Sequence, residues 1–116
     1  MFTRDHRLLN GDQFNHVFAA PRRSSDRYFT VLVRDNGGSH ARLGLAVAKK
    51  RIRLAVGRNR IKRLVRESFR HNVDLIGAVD VVVLSRFDGN ADNPTLSRSL
   101  SNHWKRLAAK QRQFAK

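Results

Sequence analysis

Cysteine is absent from the 116 residues of this chain, which excludes thiolate catalysis, disulfide cross-links and cysteine-based zinc sites. Acids are scarce as well: nine Asp and Glu stand against 24 Lys and Arg, a formal charge of +15. A chain so charged repels itself and draws polyanions, so nucleic acid is the first partner to consider. No apolar run approaches the roughly 18 residues of a membrane span. The opening MFTRDHRLLN puts charges where a secretory signal needs an apolar stretch. A soluble, cytoplasmic protein without a membrane partner is expected. A phosphate-binding glycine loop is missing too: Gly44 and Gly57 stand alone and Gly37-Gly38 belongs to a turn, so nucleotide hydrolysis has no support.

The side chains of a self-sufficient nuclease are also wanting. The acids, scattered from Asp5 to Asp92, share no short motif that would fix a metal pair or an acid and a base on one element. His6, His16, His40, His71 and His103 show no HxxxH or HExxH spacing and read as surface or boundary residues rather than ligands.

What is present is apolar residue enough for one interior, 41% of the chain, and a length that suits a single domain over residues 1–116. Asn10 and Gln13 have the spacing of a capping pair, after which Phe14, Val17 and Phe18 fall on one helical face, and Pro21 ends the helix. From Tyr28 to Arg34 the chain alternates as a strand does, Phe29, Val31 and Val33 against Tyr28, Thr30 and Leu32. Asn36-Gly37-Gly38 makes a turn, and Leu43, Leu45 and Val47 share one face of a second strand. These two strands are expected to pair as antiparallel neighbours. Asp80 to Ser85 carries consecutive apolar residues and reads as a strand covered on both faces. Asn93 suits the cap of a last helix, with Pro94 at its first position and Leu96, Leu100, Trp104, Leu107 and Ala108 along its inner side. Residues 110–116 form a basic tail expected to fray or to lie along an anion.

Before the Asp80 strand comes GRNRIKRLVRESFR, from Gly57 to Arg70, with six Lys and Arg and one acid. Advancing ~100° per residue from Ile61 gathers Leu64, Val65, Ser68 and Phe69 within about 80° of it, a core face. Lys62, Arg66, Asn59, Arg70, Arg63 and Arg60 take the opposite arc, a cationic ridge roughly 20 Å long. Arg58 falls at the edge of the apolar face, where a charge needs solvent, a carboxylate or a ligand. Basic helix faces are commonly just solvated. Here Glu67 reaches only Arg63, Arg70 or His71, so repulsion among the other cations calls for an external anion. Arginine prevails over lysine in the ridge, as bidentate phosphate recognition favours, and AKKRIR from Ala48 to Arg53 adds cations just before it. Asn59 adds a group able to bond a phosphate or a ribose hydroxyl. Phe14 and Phe18 have two readings on spacing alone, core residues or a stacking platform for unpaired bases. Trp104 reads as a core anchor.

RNRIKRLVRESFR from Arg58 to Arg70, preceded by GLAVAKKR from Gly44 to Arg51, resembles the signature of the bacterial ribonuclease P protein component. The likeness extends to RLLNGDQFNHVF, to VDVVVLSR and to the helix around Trp104, nearly the whole chain. It implies an α/β (α+β) two-layer sandwich in the order α-β-β-β-α-β-α. It also implies a left-handed βαβ crossover, a handedness that periodicity does not show and that general rules oppose. By the same resemblance the chain is the non-catalytic subunit of an endoribonuclease, in which a large RNA with bound Mg2+ removes the 5′ leader of precursor tRNA. The protein would carry no cofactor of its own and would be monomeric within a 1:1 ribonucleoprotein. Carried across by position, Arg58, Asn59, Arg60, Lys62, Arg63 and Arg66 are expected to meet the catalytic RNA. Phe14, Phe18, Lys49, Lys50 and Arg86 are expected at the leader. Leu32 stands where some members of the family have tyrosine, which removes a hydrogen bond and bears on leader preference. Two rivals differ in kind: a structural rRNA binder of ribosomal type would ignore a 5′ leader, and an autonomous metal-dependent nuclease would cleave without any RNA partner.

Overall fold

The computed structural model describes residues 11–38, 40–85 and 87–114, and the side chains of all of these but Gln13, Phe14 and residues 110–114. Its elements are α1 (Gly11–Ala19), β1 (Arg22–Ser25), β2 (Phe29–Asp35), β3 (Arg42–Val47), α2 (Ala55–Ile76), β4 (Val79–Ser85) and α3 (Asn93–Phe114). That is the order the resemblance implies. Asn10 lies outside the described residues. β1, sequence RRSS, has no apolar residue, so hydrophobic alternation does not reveal it.

The sheet runs β1-β2-β4-β3. β2 is antiparallel to both β1 and β4, while β3 lies parallel to β4. The expected direct pairing of β2 with β3 is therefore wrong: β4 lies between them. The reason is the apolar content of β4, whose Val79, Val81, Val82 and Val83 are all buried. A strand with apolar residues on both faces is hidden best where both its edges are paired and both its faces covered. The chain from Asn36 to Ala41 then crosses the end of β4 instead of closing a tight hairpin. Gly37, at φ 68°, supplies the left-handed residue of that passage, and Asn36 Oδ1 accepts the Gly38 N–H at 2.7 Å.

One carboxylate binds the passage to the sheet. Asp80 of β4, 1% exposed, receives Arg42 of β3 through Nε at 2.7 Å and Nη2 at 2.9 Å, and Asn36 Nδ2 at 3.1 Å. Arg42 of β3 and the residue that follows β2 are thus both tied to the second residue of β4. The fork is the geometry that makes arginine–carboxylate pairs strong.

Odd-numbered residues of β2 and β4 face α2 and α3: Phe29, Val31, Val33, Val79, Val81 and Val83 form one cluster with Ile61, Val65, Phe69, Leu96, Leu100 and Trp104. The alternation along β2 and the inner stripe of α3 are as the sequence indicates. The other sheet face carries a small second cluster, Leu32 and Val82 under Val17 of α1, with Leu84 at its margin. Leu32 is thereby covered by α1. Arg34 Nη1 donates to the His16 carbonyl at 2.7 Å and fixes α1 on that face. The helix-on-sheet sandwich thus gains α1 as a partial cover on its far side.

The cap of α3 sits one residue earlier than the sequence suggests. Asp92 Oδ1 accepts the Thr95 N–H at 2.9 Å and the Asp92 carbonyl accepts the Leu96 N–H at 3.1 Å, so Asp92 is the N-cap and Asn93 the first helical residue. No helix among the described residues is long and apolar enough to cross a membrane.

His103 is fully buried, not the surface or boundary residue its spacing suggests. It joins α3 to β1: its Nδ1 lies 2.6 Å from Ser24 Oγ, and its Nε2 is 3.1 Å from Asp26 Oδ2 without meeting hydrogen-bond geometry. Asp26 also accepts from Ser99 Oγ and from the N–H groups of Tyr28 and Phe29. Burial lowers the pKa of His103 from 6.5, only partly opposed by Asp26. For Asp26, burial acts upward, but the bonds from Ser99, Phe29 and Tyr28, with the charge of His103, hold it below 3.8.

Two predictions follow from these polar junctions. Asp80→Ala, which leaves the Arg42 guanidinium without its carboxylate, should lower the unfolding free energy by about 3 kcal/mol, read from denaturant midpoints. Both depressed values at the His103 junction mean that the unfolded chain takes up protons first, so stability is lost as the pH is lowered. Melting temperature should begin to drop as pH passes below 6.5, the ordinary histidine value, and fall further below 3.8 as Asp26 titrates. His103→Gln should flatten the upper part of that profile.

Candidate nucleic-acid interface

α2 buries Ile61, Val65, Phe69 and Ile76, the face marked by the helical period. Its rotation is fixed at two points. Phe69 meets Trp104 edge-on, with ring centroids 6.2 Å apart, and Trp104 Nε1 donates to Ser68 Oγ at 2.7 Å. With that face locked against α3, Asn59, Arg63 and Arg66 turn fully outward and Lys62 is half-buried at the ridge's flank. Asn59, Arg63 and Arg66 come together around a shallow depression completed by Glu67.

Glu67 does not neutralise that depression. It pairs with Arg70 at 2.8 Å and lies 3.6 Å from His71, and the Arg70 hydrogen bond and charge hold its carboxyl below the usual glutamate range. Among the described residues no carboxylate pairs with Lys62, Arg63 or Arg66. Three cations on one outward face without local compensation create a positive field able to draw several phosphates.

Arg58 and Arg60 behave differently from the rest of the expected set. Arg58 Nη1 donates to the carbonyls of Ile52 at 2.9 Å and Arg53 at 2.8 Å. Its place at the edge of the apolar face is satisfied by backbone oxygens, a partner the sequence does not reveal. Arg60 Nη1 donates to Asn93 Oδ1 at 2.6 Å and its Nη2 to the Gly89 carbonyl at 2.7 Å. Arg58 therefore holds the β3–α2 turn and Arg60 the β4–α3 loop. Ile52, 7% exposed, is pinned between them: a Cβ on Gly57 would come within 2.9 Å of its Cγ2, and one on Gly89 within 3.3 Å.

The residues expected at the leader are less closely assembled. Phe18 projects from α1 and is 46% exposed, while its neighbour Val17 takes the buried position against the sheet. The Phe14 side chain and Arg86 lie outside what is described. Lys49 and Lys50 are exposed in the turn that follows β3, held by the Arg51 and Ile52 N–H groups to the Ala48 carbonyl. On the α1 face β3 presents the small residues Gly44 and Ala46, in register with Val82 and Leu84. Among the described residues no three His, Asp or Glu are grouped to hold a metal ion.

A family model described as Ribonuclease P matches residues 2–108. The chain belongs to the ribonuclease P protein family. It is 46% identical to the ribonuclease P protein component of Pseudomonas aeruginosa over 108 residues, 91% of this chain and 80% of that one. The corresponding protein of Methylococcus capsulatus is 50% identical over 104 residues, covering 89% and 81%. Among solved structures, the RNase P protein of Staphylococcus aureus superposes with a TM-score of 0.79 at 30% identity, covering 89% of this chain and 94% of the other. That of Thermotoga maritima gives 0.75 at 36% identity, covering 86% and 96%. Membership makes this chain an RNA-binding protein of tRNA processing, and nothing favours the ribosomal-type rival.

The internal bonds of Arg58 and Arg60 predict an effect on the fold that the outward cations lack. Arg60→Lys, whose single ammonium cannot span both Asn93 and Gly89, should lower the melting temperature by several degrees, while Arg63→Lys and Arg66→Lys leave it within about a degree of the parent.

Proposed function

We propose that this ribonuclease P protein is a two-sided electrostatic adaptor for a catalytic RNA and contributes no bond-breaking group of its own. The ridge of Asn59, Lys62, Arg63 and Arg66 binds the catalytic RNA, and Phe14, Phe18, Lys49, Lys50 and Arg86 bind the single-stranded 5′ leader of precursor tRNA. The observation that carries this is the uncompensated cationic face on a helix whose rotation is fixed by Trp104. Such a face lowers the repulsion between two polyanions brought side by side.

Leader contacts matter for a thermodynamic reason. Only an interaction that precursor makes and mature tRNA does not can favour substrate over product. The half-exposed ring of Phe18 offers a stacking surface that accepts any base. Arg58 and Arg60 serve this function at one remove, by holding the loops beside the ridge. Magnesium belongs in this scheme to the RNA, since the acids on the protein are scattered and mostly bonded within the fold. The working unit is one protein on one RNA, in the cytoplasm.

The test is reconstitution with the host's catalytic RNA at low magnesium, measuring precursor binding and cleavage with full-length and shortened leaders. Arg63→Ala and Arg66→Ala should each weaken RNA binding and reduce the slope of log affinity against log salt by about 0.7 to 0.9. Phe18→Ala should weaken binding of precursor and leave that of mature tRNA unchanged. Equal losses for both tRNAs would overturn the leader assignment, and cleavage by the protein freed of RNA would overturn the adaptor scheme.

A further inference from the structure

Beside the ridge, the β3–α2 turn and the β4–α3 loop meet in a second depression, in whose lining Arg60 alone belongs to the expected site and Asp88 is the one acid. Leu54 and Val56, the N-cap and second residue of α2, both line it and are 72% and 74% exposed. Arg51 and Arg53, both exposed, border them. Gly57 and Gly89 also line it, and the Ile52 side chain stands close enough that a Cβ on Gly57 would force it to shift. Its two walls are the loops that Arg58 and Arg60 hold by their bonds to backbone carbonyls.

The choice of residue is costly to the isolated protein. Leu54 occupies the N-cap of α2, where Ser, Thr, Asp or Asn would bond a free backbone N–H, and it makes no side-chain cap. Two large apolar side chains turned to water at such a position mark a contact surface.

We propose that an unpaired nucleobase of the catalytic RNA packs against Leu54 and Val56, with its flanking phosphates on Arg51 and Arg53. This rests on the function proposed above and adds an apolar subsite to it. Charge selects the occupant. A second copy of a chain carrying +15 would bring its own Arg51 and Arg53 against these. A polynucleotide instead presents anions for the rim and a flat apolar base for the centre, the pairing by which apolar side chains hold unstacked bases. Val56 and the ridge residue Asn59 lie three positions apart on α2, so one RNA running along the helix reaches both.

The experiment measures affinity of the full chain for its catalytic RNA, without tRNA, over a range of salt. The double variant Leu54→Ser/Val56→Ser should bind roughly tenfold more weakly at every salt concentration with an unchanged slope, since the lost contact is apolar. Arg53→Ala should instead make the slope shallower. Chemical probing should show an RNA base protected by the parent protein and reopened by the double variant. If serine lowers the melting temperature, Leu54→Ala/Val56→Ala, which suits the helix better, takes its place with the same expectation. The subsite is refuted if the double variant binds within twofold of the parent, if it loses affinity only for leader-bearing precursor, or if its defect is in self-association by sedimentation. Arg66→Ala separates the two levels. A loss there with none in the double variant sinks the subsite alone, and no loss in either sinks the adaptor scheme with it.

Discussion

The position of β4 between β2 and β3 is the constraint on which the other surfaces depend. A strand with valines on both faces demands neighbours at both edges, and Asp80 at its beginning reaches Arg42 on one side and Asn36 on the other. Since β3 runs parallel to β4, the chain must return across the sheet, and α2 is that return. The helix is therefore pressed onto the sheet and onto α3 along its apolar side. Its basic side has nowhere to face but outward.

Charge is partitioned in a consistent way. Most acids among the described residues are occupied by the fold: Asp26 with Ser99 and the His103 junction, Asp35 with Arg22, Glu67 with Arg70, and Asp80 with Arg42. Asp88 and Asp92 accept backbone N–H groups in the loop before α3. Cations are divided instead. Arg22, Arg34, Arg42, Arg58 and Arg60 brace strands, turns and loops, while Arg63 and Arg66 are left facing solvent with the half-buried Lys62 at their flank. Guanidinium suits the first task because its planar fork can span two acceptors.

The helices, β2, β3 and the outward ridge were legible in the sequence because each rests on a period, 3.6 or 2, carried by apolar residues, and β4 because its apolar run is unbroken. β1 was not, since a polar edge strand is defined by its partner and not by its own pattern. The order of strands was not either: local alternation in β2 and β3 cannot tell whether a third strand will come between them. Asp80 and His103 were unreadable for a related cause, since their partners lie 38 and 79 residues away in the chain. The signature motif indicated RNA correctly at the level of the family, yet spacing could not separate the arginines that brace loops from those that face outward. That division depends on where the carbonyls of Ile52, Arg53 and Gly89 come to lie.

The interleaved sheet also has a temporal side. β2 and β3 are made early in synthesis, but neither has its central neighbour until residues 79–85 have left the ribosome. Until then the growing chain carries two open strand edges and a basic helix with no α3 to rest on, so native contacts of long sequence separation arrive together and late. A nascent protein of this topology meets the cell's RNA before it has a finished interior.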